Sequence, residues 1–498
     1  MLTKVWALLL LIVTIALAGC SSSSAGGEKG QFTDSPYANV DLANTRNATS
    51  SIKAATASSL QQAWSLPLEA QGERARFSGS PVVVDGVAYL QDPDSNVLAI
   101  DANSGEILWE KRFEAPTGGP NAVIAVQGKI FGATPSSAFA LDADTGKELW
   151  SVPLVHTELE HIAMAPGYHD GLVYLATSPN AEQGGEVGTL WALDAKSGKK
   201  VWHFDTVPRS LWGHPEINFG GGLSGPPAFD GKGSMYIGTS SPGPIPGSEE
   251  FPWGSSRPGP NLYSNSVVKL NEKTGKVEWF YQVTPHSICR WDVGAPVLSK
   301  VDGRHIVVAA SQGGILVALD RETGKPLWRK PVGKHDGHDD DGLLAAKHHY
   351  ASLHMPVVVY PGVFGGVSGP IAIRGRTVFV PVVDWATRLN TQVSAEMVGV
   401  PTGQLVALNL ATGAVRWKKR LSSGLFGPVV ATNDLVISST FDGRIYAFNA
   451  KNGDEVWSEE LAPHAEGGVT VTGNTLLARA GLVDREEVPQ LVAYRLGG

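Results

Sequence analysis

The sequence holds only two cysteines, Cys20 and Cys289, among 498 residues. A disulfide framework is therefore excluded, and stability must come from packing. No Cys-x-x-Cys-His run is present, which excludes a covalently attached haem of that type. Lys and Arg number 40 against 48 Asp and Glu, for a formal net charge of −8, and they gather into no basic stripe. Nucleic acid is excluded as a partner on that ground. Beyond residue 20 no segment is apolar enough to cross a membrane.

What is present begins with Lys4 and an apolar run from Val5 to Ala18, closing on Leu17, Ala18, Gly19 and Cys20. The run is too short for a mature spanning helix and has the form of an export signal. Small residues directly before a cysteine have the form of a lipoprotein cleavage site. Residues 1–19 are thus expected to be removed and Cys20 lipidated, anchoring an exported chain to a membrane of the cell envelope. Residues 20–34, rich in Ser and Gly, read as a flexible tether. Residues 35–498 are left as one domain.

Self-similarity governs that domain. One pattern returns as NVLAIDANSGEILW (ending at Trp109), AFALDADTGKELW (Trp150), LWALDAKSGKKVW (Trp202), VVKLNEKTGKVEW (Trp279), ILVALDRETGKPLW (Trp328), QLVALNLATGAVRW (Trp417) and IYAFNAKNGDEVW (Trp457). Each copy is an apolar strand, an Asp or Asn able to bond the turn backbone, a Gly suited to positive φ, and a strand carrying Trp. It is a hairpin with its turn chemistry written out. A second strand pair precedes most copies, as in SPVVVDGVAYLQD and GPVVATNDLVISST. Two pairs make a four-stranded antiparallel blade. The shortest steps, 40 residues from Trp417 to Trp457 and 41 from Trp109 to Trp150, give its length. That length fits a β-propeller.

The two ends complete the count. QLVAYRL near the C-terminus has the first strand of the hairpin without turn or Trp, and QQAWSLPL has the Trp strand without its partner. Joined, they make one more blade and leave few open edges. The expectation is an all-β, eight-bladed propeller whose ring is closed by N- and C-terminal strands.

The repeat resembles the tryptophan-docking motif of PQQ-type propellers, in which the Trp packs between neighbouring blades. The likeness covers most of the chain, including SPYANVDLANTRNAT (35–49) and RPGPNLYSNSVVKLNEKTGKVEWFYQVTPH (257–286), which look like segments of the quinoprotein alcohol dehydrogenases. The docking Trp residues are expected to be core and to bind nothing. The resemblance implies PQQ at the mouth of the central funnel, calcium beside it, and an Asp as base. Asp292, after Trp291, matches the base. Glu182 best matches a metal-ligating Glu, with Glu186 a near alternative, and Ser241 stands where the family has an Asn ligand. Ser224 stands where the family has its floor Trp. Gln312 falls at the place of the cation near the quinone. These substitutions thin the cofactor site, since calcium favours carboxylate and carbonyl oxygens.

Two further clusters draw notice. His335, Asp336, His338, Asp339, Asp340 and Asp341 in the run 333–349 could gather around a divalent ion or form a polar rim loop folded by turn chemistry. His156, Glu158 and Glu160 alternate as on one strand face, with His161 on the other.

The resemblance implies oxidation of an alcohol or sugar and electron transfer to a separate acceptor. The rival reading is a non-catalytic scaffold for envelope protein partners, resembling the lipoprotein of the outer-membrane assembly machine. A third is a propeller that binds a carbohydrate or other small ligand.

Overall fold

The computed structural model describes residues 29–68, 79–117, 119, 121–180, 184–288, 292–336, 355–461, 467–480 and 488–497. Among these residues, apart from two short 3₁₀ turns, Ala57–Ser59 and Leu211–Gly213, the regular structure is all β, and its strands form eight sheets. In chain order the first contains Val82–Val84 to Ile107–Lys111 and the second Ile124–Val126 to Glu148–Pro153. The fourth, fifth and seventh follow the same four-stranded antiparallel plan.

The third and sixth sheets depart from that plan. The third has seven strands, adding Glu160–Ile162, Phe219–Gly221 and Pro242–Gly243 to the basic four; the sixth has five, adding Val357–Val359. Both enlargements come from insertions that lengthen the repeat. The eighth sheet joins the chain's ends. Leu60–Pro67 pairs antiparallel with Gln490–Leu496, from Leu60 opposite Leu496 to Pro67 opposite Gln490.

Each hairpin turn is built as its residues dictate. Asp142 Oδ1 accepts from Thr145 N at 3.0 Å and Thr145 Oγ1 at 2.6 Å, and Asp320 with Thr323 repeats the arrangement. These bonds hold both carboxyls below the usual carboxylate range. The turn glycines then take positive φ, 80° at Gly105 and 68° at Gly146.

Those glycines are the floor on which the neighbouring Trp rests. A Cβ at Gly105 would lie 2.8 Å from the Trp64 ring, and one at Gly146 would lie 2.5 Å from that of Trp109. Trp64, Trp109, Trp150, Trp202, Trp279, Trp328 and Trp417 donate their indole N–H to Ala102, Ala143, Ala195, Glu272, Arg321, Leu410 and Ala450 carbonyls, at 2.9 to 3.2 Å. Trp457 lies edge-on to Tyr494 in the eighth sheet. The rings therefore bridge successive sheets in chain order. Of the seven expected as core, only Trp150 and Trp457 are buried and the others are half-buried, because the outermost strand of each sheet carries them near solvent.

The leading segment crosses the first strands of the sheets. Ser35 pairs with Val83, while Ala125 donates to Pro36 O, Phe229 to Leu42 O, Leu298 to Ala43 O, Ile373 to Thr45 O and Ala431 to Arg46 O, each through its backbone N–H. Ser51 N–H closes the path on Gly473 O. Arg46, only 2% exposed, donates to Val429 O at 2.8 Å, Ala38 O at 2.9 Å and Asn39 Oδ1 at 2.9 Å. No carboxylate balances it among these contacts, and burial pushes the guanidinium down to about 9. Gly30 to Thr33, expected in the tether, are already bonded to Asn103, Asn474 and Thr472.

Candidate active site

The insertion in the fourth sheet, between Gly238 and Ser266, is held to the run after Gln282 by one buried cation. Arg257 is wholly buried and donates from Nη1 to Asn261 Oδ1 and from Nη2 to Ser287 O, both at 2.7 Å. Burial pushes it down to about 9. His286 Nδ1 stands 2.9 Å from Gly259 O, which, being a carbonyl, requires the proton on that nitrogen. Burial and the adjacent Arg257 push His286 down to about 4, so the ring is neutral at physiological pH. These bonds pin residues 257–261 against 286–287, just ahead of Asp292.

Asp292 is 4% exposed. Its Oδ1 accepts the backbone N–H of Ser241 at 2.7 Å, and its carbonyl accepts from Gln312 N at 2.9 Å. Val293 N donates to Thr239 O and Gly294 N to Ala310 O. The carboxylate is thus fixed between the fourth and fifth sheets. Ser241 Oγ donates to Asn265 Oδ1 at 3.2 Å. Asp292, Ser241 and Gln312, chosen from sequence, are therefore brought together.

The other expected residues fare differently. Gly225 abuts Ala295, so Ser224 lies near the same junction, but its side chain is exposed and supplies no aromatic floor. Glu182, Trp291 and Cys20 lie outside the described residues, as do residues 337–349 of the His/Asp-rich run. Of that run's described part, His335 Nε2 lies 3.0 Å from Val332 O, and Asp336 accepts from Tyr360 N. No group of three or more His, Cys, Asp or Glu gathers among the described residues.

Residues 156–159 form no strand; only Glu160–Ile162 does, so the alternation expected there gives way to a turn. What the turn builds is a carboxyl pair. Glu160 is pushed up to about 7 by its burial and by Glu186 beside it, and Thr157 Oγ1 donates to Glu186 Oε1 at 2.9 Å. Glu186 reaches the Asp292 region through backbone: Gly220 N donates to Glu186 O and Gly221 N to Ser241 O.

Asn265 was missed by the sequence reading. It is wholly buried with φ of 50°, a conformation Asn tolerates, and its only sequence signal was the run RPGPNLYSN.

Two oxygen groups of the kind a hard cation takes are held together, the Asp292 carboxylate and Ser241, while the Glu186 carboxylate faces Thr157 and Glu160. Gln312 Oε1 and Ser311 Oγ are buried with no partner among the described residues, which suits a polar ligand bearing donors beside Asp292. The exposed Ser224, which offers no aromatic platform, does not fit a bound quinone.

Comparisons with known proteins agree with the architecture. The family model described as glucose/ethanol/alcohol dehydrogenase, beta-propeller domain, matches residues 37–128 and 168–336. The model described as outer membrane protein assembly factor BamB matches residues 94–223 and 365–497. Quinoprotein alcohol dehydrogenase PedH of Pseudomonas putida is 28% identical over 405 residues, spanning 68% of this chain and 66% of that protein. Quinohemoprotein alcohol dehydrogenase of Comamonas testosteroni is 28% identical over 393 residues, spanning 66% of this chain and 54% of that protein. The chain thus matches less than two thirds of the length of either relative. Among solved structures, quinohemoprotein alcohol dehydrogenase ADHIIG from Pseudomonas putida HK5 has a TM-score of 0.81 at 22% identity, covering 93% of this chain and 80% of the other. BamB from Moraxella catarrhalis has a TM-score of 0.55 at 18% identity, covering 88% and 97%. Both structural likenesses are of fold.

Proposed function

This chain belongs to the PQQ β-propeller family of the glucose/ethanol/alcohol dehydrogenase type, and from that premise we propose that it is a quinoprotein dehydrogenase oxidising an alcohol or a sugar. The eight sheets are then the blades of one ring, and the pairing of Leu60–Pro67 with Gln490–Leu496 is its closure. The observation that carries the reading is the buried carboxylate of Asp292, seated on the Ser241 N–H, with its carbonyl bonded to the N–H of Gln312, whose Oε1 has no partner among the described residues.

PQQ, when bound, supplies the two-electron oxidant. Asp292 receives the proton of the substrate hydroxyl, a role in which a positioned base contributes about 10² to 10⁴ in rate. Ser241 and Asp292, with Glu182 or Glu186, would hold calcium, and Gln312 would meet the quinone's polar edge. The Arg257 and His286 bonds keep the Asp292 run from moving. The proposal includes a separate electron acceptor. Lipidation at Cys20 and placement in the cell envelope belong to the same proposal.

The match to the assembly-factor model supports a second reading, a scaffold for envelope proteins that retains the fold without the chemistry. Reconstitution separates the two. Purified protein lacking residues 1–20 is titrated with PQQ and Ca²⁺ and assayed by quinone absorbance and by dye reduction with alcohols and sugars. Binding with turnover supports the dehydrogenase. Neither at saturating cofactor removes it in favour of the scaffold.

A further inference from the structure

A cleft of about 330 Å³ opens where the chain leaves the outermost strand of the third sheet, Lys200–Asp205, and meets the segment leading into Ser266–Asn271 of the fourth. It is lined by Asp205, Val207, Pro208, Arg209, Leu262 and Tyr263. Its volume lies at the lower end of the range of small-molecule sites, about 300 to 1,000 Å³.

The two walls are bonded to each other. Tyr263 N–H donates to Thr206 O at 3.3 Å, and the Trp212 indole N–H donates to Leu262 O at 3.2 Å. Thr206 is anchored in turn, its Oγ1 donating to Gly188 O at 2.8 Å. The Tyr263 ring is set by Phe280, edge-on with centroids 4.9 Å apart, and by Phe204 at 6.3 Å. A ligand would therefore meet walls already in place, with little ordering left to oppose its binding.

The polar groups select what can enter. Arg209 grips Asp205 as a fork, Nε to Oδ2 at 2.7 Å and Nη2 to Oδ1 at 2.8 Å, and Oδ1 also accepts from Thr189 Oγ1 at 3.0 Å. The two charges cancel, so the lining favours neither an anion nor a cation. The fork leaves the two N–H groups of Nη1 for solvent or a ligand. Around them stand Val207, Pro208, Leu262 and the Tyr263 ring, an apolar surface. The matching molecule is neutral, carries hydroxyl oxygens along one edge and presents a C–H face to the ring.

We propose that this cleft is a saccharide site, taking one uncharged pyranose ring against Tyr263 with its oxygens on Arg209 Nη1. Thr239 stands between it and the Asp292 strand: its Oγ1 donates to Tyr263 O, and its carbonyl accepts from Val293 N at 3.2 Å. The site draws on neither Asp292 nor a cofactor, and it stands whether or not the chain is a dehydrogenase.

The test titrates the purified protein, without PQQ or metal, with methyl β-glucoside and with tri-N-acetylchitotriose, followed by saturation-transfer NMR and calorimetry. Binding of the glucoside assigns a free sugar, and binding of the trisaccharide alone assigns a glycan chain; either supports the site. Tyr263→Ala and Arg209→Ala should each weaken binding by at least about tenfold, while Tyr263→Phe, which keeps the ring, should retain most of it. Thermal melts check folding, and should Tyr263→Ala not fold, Arg209→Ala decides, since its side chain is 68% exposed. Binding of neither sugar overturns the proposal, as do unchanged affinity in the folded variants and tighter binding of glucuronate than of the glucoside. Binding lost in Asp292→Asn but intact in Tyr263→Ala would place the sugar at the other site and likewise overturn it. Sugar bound at this cleft without dye reduction after reconstitution removes the dehydrogenase reading alone.

Discussion

Trp64, on the strand from the N-terminal end of the chain, lies flat against Gly105 in the turn of the next sheet, and its indole N–H reaches Ala102 O at 3.2 Å. The contact ties the sheet shared by both chain ends to the first sheet formed wholly within the sequence. Gly105→Ala should meet two penalties at once, a Cβ at 2.8 Å from the ring and an unfavourable φ of 80°. We expect a loss of more than about 1 kcal/mol, read by denaturant unfolding. The exposed Gly128, which also has positive φ but nothing within 4 Å, is the control for backbone strain alone.

Arg46 should be equally sensitive for a different reason. Arg46→Ala strands buried carbonyls, including Val429 O and Ala38 O, at about 1 to 3 kcal/mol each. Arg46→Lys should recover only part, because an ammonium cannot reproduce the planar fork. Melting temperature ordered wild type, Lys, Ala checks this. Equal melts would mean that Arg46 does not hold the leading segment.

Two groups should bend the pH profile of stability in opposite senses. Glu160 is raised from 4.5 to about 7, so the folded state keeps a proton that the unfolded chain releases, and stability falls as pH rises through that window. His286 is lowered from 6.5 to about 4, so the unfolded chain takes up a proton that the folded state refuses, and stability falls as pH drops through that window. Melts of Glu160→Gln and His286→Gln against wild type, from pH 4 to 7.5, should each remove one slope. The size of the Glu160 effect will be reduced by its partial exposure.

Asp292→Asn is expected to lower reconstituted turnover by about 10² to 10⁴ while leaving PQQ binding in place. Loss of binding and turnover together would instead make Asp292 chiefly a holder of the cofactor and metal. Quinone absorbance and dye reduction, measured on the same sample, distinguish these outcomes.

The repeated hairpins were legible in the sequence because their chemistry is local. Asp142, Thr145 and Gly146 specify a turn within five positions, and Trp150 follows on the next strand. The path of the leading segment was not legible, since Leu42 meets Phe229 and Arg46 meets Ala431 across distances on which no period is imposed. The added strands of the third sheet were hidden for another reason: Phe219–Gly221 and Pro242–Gly243 consist largely of Gly and Pro, residues that weaken a strand assignment. At the site, Asp292 was singled out by its neighbours Gln282 and Trp291 along the chain, whereas Asn265 meets Ser241 across a fold that sequence spacing does not encode.

The seam between Leu60–Pro67 and Gln490–Leu496 also dictates when the molecule can first become whole. During synthesis the early strand has long since emerged while its mate is still untranslated, and the growing chain must wait as an open stack with an unpaired edge. Only after Gln490–Leu496 has been translated and clears the ribosome can the two meet. Truncation ahead of Gln490 would leave that edge exposed for the lifetime of the protein.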